Sequence, residues 1–408
     1  MRILFVNTLY YPNEVGGAER SVRIMAEYLA GQGHDVFVLS IHHEDELELK
    51  TVDGVRVFYL PSQNLFYPHE NGGVPSWAKH VPVKVVWHLL NSYDPRMARK
   101  VRRILKTAEP DVVHTNNLTG LSTSVWTEVQ SQHIPLVHTL RDYYLLCHRS
   151  TMYRNQKNCP SQCWHCKPFA AIRQRLARSV DAVVGISQFV LDAHRKRGGF
   201  AKTSIQTVIP NPYAGGSVNP RHVEHQSKQP LQAGFLGRLA PSKGMGVLME
   251  AAESVPSDLL DVHVGGNGKN DYVRTLKKRH STTNVTFHGY VDPSTFLPSL
   301  DVLVVPSLWR EPLGRVVFEA FAHGVPVIGA NRGGIPEMID EGTTGYVFDP
   351  SDVDSLRALL VQLARSPYLL QPMRDAAYEE SRRYRPETVM SEYLEVYTRL
   401  RSGVPEST

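Results

Sequence analysis

A chain of 408 residues is longer than one domain ordinarily runs, which sets an expectation of two or three domains, each large enough to bury its own core. With 42% apolar and 21% charged residues the composition excludes a disordered or fibrous protein, and no run approaches the 18 consecutive apolar residues of a membrane-spanning helix. The net charge of +5 is unevenly placed. Residues 1–215 hold 25 Lys and Arg against 17 Asp and Glu, a balance of +8, while the remainder holds 20 against 23, a balance of −3. This points the N-terminal half toward an anionic partner, either a phosphate-bearing substrate or an anionic membrane surface. Nucleic acid is not expected, because the basic residues do not sit in a recognisable binding motif.

The N-terminus, MRILFVNTLYY, carries one basic residue and a short apolar run broken by Asn7. It reads as a first strand and not as a signal peptide, so the expected compartment is the cytoplasm, either free or peripheral on the inner face of the membrane. Short β-branched runs follow: DVFVLSI, VRVFYLP, DVVHTNN, PLVHTL, AVVGIS and IQTVIPN, each spaced to leave room for a helix, as expected of buried parallel strands. The first helix is predicted over Ala18–Ala30, with Val22, Ala26 and Leu29 on one face. Gly16 and Gly17 precede it, and glycines at a strand-to-helix turn let the backbone approach a phosphate closely.

Further along, Asp94 and Pro95 open a helix whose apolar stripe is Met97, Val101, Ile104 and Leu105. Opposite lie Arg96, Arg99, Lys100, Arg102, Arg103 and Lys106, and just before stand Trp77 and Trp87 in WAKHVPVKVVWHLL. This combination suits a peripheral contact with an anionic membrane, or a helix covering the sheet with a solvated basic face. After PLVHTL comes Arg141-Asp142; His114 and His138 are candidates for the cleft, although a strand histidine is more often a satisfied core residue. All four cysteines, Cys147, Cys159, Cys163 and Cys166, fall in one window with spacings of x11, x3 and x2. That spacing fits a four-thiolate structural zinc site, closed to catalysis, or a loop of free thiols.

Residues 213–230 have linker composition, separating a first domain of residues 1–212 from a second of residues 231–385. The second series of strands is LQAGFLG, LDVHVGG, VTFHGYV, VLVVPS, VPVIGAN and GYVFDP. A last helix within residues 386–408 is expected to return to the first domain. The expected class is therefore α/β, with two Rossmann-like doubly wound domains facing across a cleft. In EPLGRVVFEAFAHG, Pro312 suits a first helical position, so the N–H groups of Leu313, Gly314 and Arg315 are expected to greet an anion such as a diphosphate. Glu311 then stands at the mouth and Glu319 about two turns deeper, placed to hold hydroxyls of two different sugars. VGGNGKND lacks the glycine spacing of a dinucleotide fingerprint, and Asp352-Val353-Asp354 reads as a helix cap, not a metal motif.

With its Glu-x7-Glu, GFLGRLAPSKG, HVGGNG, FHGYV and GVPVIGANRGGIPEMI, the chain resembles the retaining glycosyltransferases of family 4, which have the GT-B fold. The resemblance implies a catalytic set of Glu311 at the transferred sugar, Arg238 and Lys243 on the donor diphosphate, and Arg141. It further implies donor contacts from Gly16, Gly17, Tyr290 near the base, Leu313, Gly314, Arg315 and Glu319 at the ribose, with Leu313 and Arg315 tuning sugar choice. Arg141 stands where the family commonly has histidine; an arginine cannot shuttle a proton but can donate hydrogen bonds to a sugar or phosphate. The implied reaction moves a sugar from a nucleoside diphosphate donor, UDP- or GDP-linked, to a glycan or lipid-linked acceptor in cell-surface polysaccharide or glycolipid synthesis, with retention and no cofactor or catalytic metal. Two other readings stand beside it, a nucleotide-sugar epimerase of the same architecture and a non-catalytic nucleotide-sugar-binding protein.

Overall fold

A computed structural model describes residues 1–13, 16–62, 64–65, 76–217, 230–280 and 284–403. The chain forms two compact units, one of residues 1–152, 159–212 and 386–408 and the other of residues 153–158 and 213–385. Most of the expected linker, residues 218–229, lies outside the described residues.

The strands of the first unit are β1 (Arg2–Val6), β2 (Asp35–His42), β3 (Glu48–Val52), β4 (Val55–Pro61), β5 (Val112–Thr115) and β6 (Leu136–Leu140). A hairpin, β7 (Tyr153–Arg154) and β8 (Lys157–Asn158), interrupts it, and β9 (Ala182–Gly185) and β10 (Ile205–Val208) complete it. The sheet runs β10-β9-β6-β5-β1-β2-β4-β3, parallel throughout except for the edge strand β3. The central strands are β-branched and apolar on both faces because helices cover both sides. On one side the helix Gly17–Gly31 buries Val22, Met25, Ala26 and Leu29, and the C-terminal helix Pro386–Ser402 buries Val389, Met390, Tyr393, Val396 and Tyr397 in the same core. The i, i+3, i+4 spacing of both sets puts each on a single helical face.

The second unit holds β11 (Leu231–Leu236), β12 (Leu260–Gly265), β13 (Val285–Gly289), β14 (Val302–Val305), β15 (Val327–Ala330) and β16 (Gly345–Phe348). All are parallel in the order β13-β12-β11-β14-β15-β16, the doubly wound order of a mononucleotide-binding fold. The expected α/β class with two doubly wound units is observed. One boundary differs: the hairpin β7–β8, expected within the first domain because it lies inside residues 1–212, packs with the second unit. Its six residues carry little apolar surface to bury locally, so their polar side chains decide where they dock. No described helix is long and apolar enough to cross a membrane.

Candidate functional site

In the second unit β11 pairs with β12 on one side and β14 on the other, so the connections leave in opposite directions and open a crevice at the carboxyl ends of β11 and β14. Two loops meet there. After β11 the chain passes Gly237 and Arg238 to a turn of 3-10 helix, Pro241–Lys243. Gly244 follows at φ +73°, and a Cβ there would lie 1.7 Å from the Pro306 carbonyl oxygen, so only glycine lets the backbones touch. The Ser242 carbonyl accepts hydrogen bonds from the N–H groups of Leu308 (2.9 Å) and Trp309 (3.0 Å). These backbone bonds bring Lys243 beside Glu311: Nζ and Oε1 are 2.7 Å apart, largely out of solvent. The Lys243 ammonium also lies 5.7 Å from the centre of the Trp309 ring.

The backbone of Glu311 is fixed from two further directions. Its carbonyl accepts from Gly334 N at 2.8 Å, and Gly333, at φ +65°, passes so close that a Cβ would lie 2.0 Å from the same oxygen. From the hairpin, the Asn158 amide donates to Leu308 O (2.7 Å) while its oxygen accepts from Arg310 N (3.0 Å). Asn158, Ser242 and Gly333 were not among the expected site residues. Asn158 is separated by 150 residues from the loop it clamps, and nothing in its local sequence signals the pairing.

The helix carrying Glu319 begins later than expected. It spans Arg315–Ala322, with Gly314 as its N-cap at φ +104°, a left-handed conformation that interrupts helical continuity from Pro312. Pro312 is therefore not the first helical residue, and the first helical turn starts at Arg315 and not at Leu313. Glu319 is correspondingly one turn into the helix, where its Oε1 is 3.3 Å from Arg315 Nε. Leu313 is buried, whereas Arg238 is exposed with no carboxylate partner among the described residues, and Tyr290, just after β13, is 80% exposed. Tyr213 packs its ring on Phe318 of this helix, and burial together with the nearby Glu319 carboxylate pushes its phenol up to about 12. Asp352 caps the helix Val353–Arg365 through Ser355 N, as its position suggested.

In the first unit Gly16 caps the helix Gly17–Gly31 in an extended conformation, and a side chain there would press on Glu19, whose Oε2 would lie 3.2 Å from its Cβ. Arg141, following β6, is drawn inward. Its guanidinium donates to Asn116 Oδ1 (2.8 Å), to Asn211 Oδ1 and to Met25 Sδ (3.1 Å), so its donors serve the interior. A cation desolvated to this depth must spend its N–H groups on neighbours. Asp142 accepts from Tyr144 N (2.7 Å) and Asn117 Nδ2 (2.8 Å), and burial raises its carboxyl to about 6, with Glu19 adding to the rise. His114 bonds Tyr397 OH (2.6 Å) and Thr139 Oγ1 (2.7 Å), and His138 bonds Thr115 Oγ1 (2.9 Å). Both are core residues held neutral by burial.

Two further expected features lie in the first unit. Cys147 and Cys166 are buried, Cys159 and Cys163 half-buried, and no disulfide joins them. The helix Val81–Ser92 exposes Val81, Val85, Val86 and Leu89, flanked by exposed Trp77 and Tyr93, whereas Trp87 is buried and is no part of that surface. In the next helix, Pro95–Ala108, the stripe Met97, Val101, Ile104 and Leu105 is buried and the basic face is outward, although Arg102 is held by Glu128 at 2.7 Å and 3.1 Å.

Comparison with known proteins agrees with this fold. Residues 15–213 match the family described as Glycosyltransferase Family 4, and residues 220–383 match Glycosyl transferases group 1. An uncharacterised 42.6 kDa protein from the cps region of Klebsiella pneumoniae is 33% identical over 358 residues, covering 87% of this chain and 92% of its own length. The phosphatidyl-myo-inositol mannosyltransferase of Mycobacterium leprae is 26% identical, over 94% of this chain and 92% of that protein. Among solved structures, Anabaena HepE in complex with UDP superposes with a TM-score of 0.71 at 20% identity, covering 98% of this chain and all of the other. Sucrose-phosphate synthase from Thermosynechococcus elongatus gives 0.73 at 17% identity, covering 98% and 99%.

Proposed function

Because the chain belongs to the group 1, family 4 glycosyltransferases, we propose that it transfers a sugar from a nucleoside diphosphate donor to a glycan or lipid-linked acceptor, with retention at the anomeric carbon. The observation that carries this reading is the Lys243–Glu311 pair at the switch point of the second sheet. An ammonium and a carboxylate held together by backbone, and partly withdrawn from water, are a matched set for a ligand with an anionic leaving group and a hydroxyl-rich transferred group. On donor binding Lys243 exchanges its carboxylate partner for the diphosphate. Together with the exposed Arg238 it neutralises the charge that develops on the departing nucleoside diphosphate, which is why no catalytic metal is invoked. Glu311, released, accepts from a sugar hydroxyl. Glu319 takes the ribose hydroxyls and Tyr290 lies near the base.

In the retaining step the anomeric carbon–phosphate oxygen bond breaks, the acceptor oxygen bonds the same face of the sugar, and its proton passes to a departing phosphate oxygen. No protein base is assigned. For the first unit, Gly16 and Gly17 are read as backbone that admits a close phosphate, and Arg141 as a positioning residue. The bound UDP of HepE and the inositol-lipid acceptor in the name of the mycobacterial relative support a nucleotide-linked donor and a lipid-linked acceptor, in cell-surface polysaccharide or glycolipid synthesis. The test is hydrolysis of UDP-, GDP- and ADP-sugars by wild type and Glu311→Ala. One donor is turned over, and the substitution lowers kcat by roughly 10²–10³ while donor binding persists. Absence of both turnover and donor binding in the two proteins overturns the assignment; interconversion of sugars without release of nucleoside diphosphate identifies an epimerase instead.

A further inference from the structure

The four cysteines form a row of near neighbours in the folded first unit. Cys166 is the hub: its Sγ lies within 4.8 Å of the donor atoms of Cys147 and His148 on one side and of Cys163 and His165 on the other. Cys159 Sγ is 3.9 Å from Cys163 Sγ. Two thiolates on one tetrahedral zinc, each with a bond of about 2.3 Å, stand about 3.8 Å apart, so this separation is already that of a ligand edge. The backbone supports the grouping. Cys163 O accepts from Cys166 N (2.8 Å) and Lys167 N (3.1 Å), a turn that aims both sulfurs of the x2 pair to one side, and Cys159 N donates to Met152 O at 2.8 Å. Cys166 is also the N-cap of the helix Lys167–Leu176, which fixes the backbone that carries its sulfur.

Six donor groups lie in this cluster, and one distance sets His148 apart from the others. His148 Nδ1 lies 3.1 Å from Cys166 Sγ, closer than the about 3.6 Å that separates a nitrogen and a sulfur bound to the same tetrahedral zinc. That is the spacing of an N–H to sulfur hydrogen bond, as is Arg149 N to Cys147 Sγ at 3.4 Å. The segment has a physical need for such a centre. Between Cys147 and Cys166 the only regular structure is two strands of two residues, and apart from Met152 no apolar side chain there is buried. A loop this poor in core is ordinarily held by a staple.

We propose that Cys147, Cys159, Cys163 and Cys166 bind one structural zinc ion as four thiolates, with His148 as an outer hydrogen-bond donor to Cys166. The site is closed, with no open position for substrate, and it stands independently of the proposed transferase activity. Full-length protein purified under reducing conditions, with neither metal nor chelator added, should contain about one zinc per chain. Its four thiols should resist a thiol reagent until the metal is released. Cobalt exchanged into the site should give the visible bands of tetrahedral cobalt with sulfur-to-metal charge transfer of four-thiolate intensity. Cys159→Ser and Cys163→Ser should lose the metal, while His148→Ala keeps its stoichiometry. If the cysteine variants do not fold, the wild-type zinc content and cobalt spectrum still decide. Wild-type protein without zinc, whether its thiols titrate freely or pair as disulfides, overturns the site; loss of metal from His148→Ala overturns the ligand set.

Discussion

At the scale of single residues, burial converts ordinary side chains into unusual ones. Asp142 is the sharpest case, because its raised carboxyl makes the folded chain hold a proton that the unfolded chain releases. Its pKa in the folded protein, about 6, exceeds the ordinary value of 3.8. The folded state therefore loses stability as pH rises between these values, and the loss is complete above the upper one. The difference is worth roughly 3 kcal/mol. Replacing Asp142 with asparagine removes the ionisation while keeping an oxygen to accept from Tyr144 N. The melting temperature of Asp142→Asn relative to wild type should therefore climb from pH 4 to pH 7 and then level off. A difference constant over that range would show that this carboxyl ionises normally. The Glu311→Ala experiment belongs to the same scale, since it removes one carboxylate whose ammonium partner is already in place.

At the scale of elements, the donor loop of residues 306–311 is held by three separate segments: the turn around Ser242, the glycine pair Gly333-Gly334 and the hairpin residue Asn158. Each contributes polar contacts to backbone, so each acts on where Glu311 stands without touching substrate. Gly333→Ala places a Cβ against Glu311 O and forces a left-handed residue, a strain of order 1–3 kcal/mol. Asn158→Ala deletes two hydrogen bonds, at a similar cost because backbone groups lose their partners. Both variants should raise the donor KM and speed amide exchange in residues 306–311, with Gly333→Ala also lowering the melting temperature. Unchanged exchange in that loop would mean that these contacts do not hold it.

At the scale of the whole molecule, the first unit carries an apolar surface that the fold leaves exposed. Trp77 is 51% and Val81 73% exposed, with Val85, Val86, Leu89 and Tyr93 continuing the row. Spacings of four residues keep Val81, Val85 and Leu89 on one side of the helix Val81–Ser92. Contiguous exposed apolar surface beside a basic helix suits the headgroup region of an anionic membrane, which is where a lipid-linked acceptor would be met. Val85→Glu with Leu89→Glu should weaken binding to vesicles containing phosphatidylserine by tenfold or more. Arg99→Glu with Lys100→Glu and Arg103→Glu should weaken it likewise and abolish the preference over neutral vesicles. Arg102 is left out because Glu128 already neutralises it. Binding that survives both sets of substitutions would remove the membrane from the reading.

The sequence by itself determined the α/β class and the two sheets, because alternating β-branched runs are local and survive without knowledge of the rest of the chain. It also placed the cap of the helix Val353–Arg365 at Asp352. Only the tertiary structure decided what depends on distant approach. Gly314 takes a left-handed conformation against Ile335 and delays the helix to Arg315. Arg141 turns inward because Asn116 and Asn211 stand ready to receive it, and Trp87 is buried while Trp77 is not. Residues 153–158 leave the unit that precedes them in sequence because Asn158 satisfies backbone groups beside Glu311. Each of these outcomes depends on the folded surroundings of the residue, and periodicity carries no record of them.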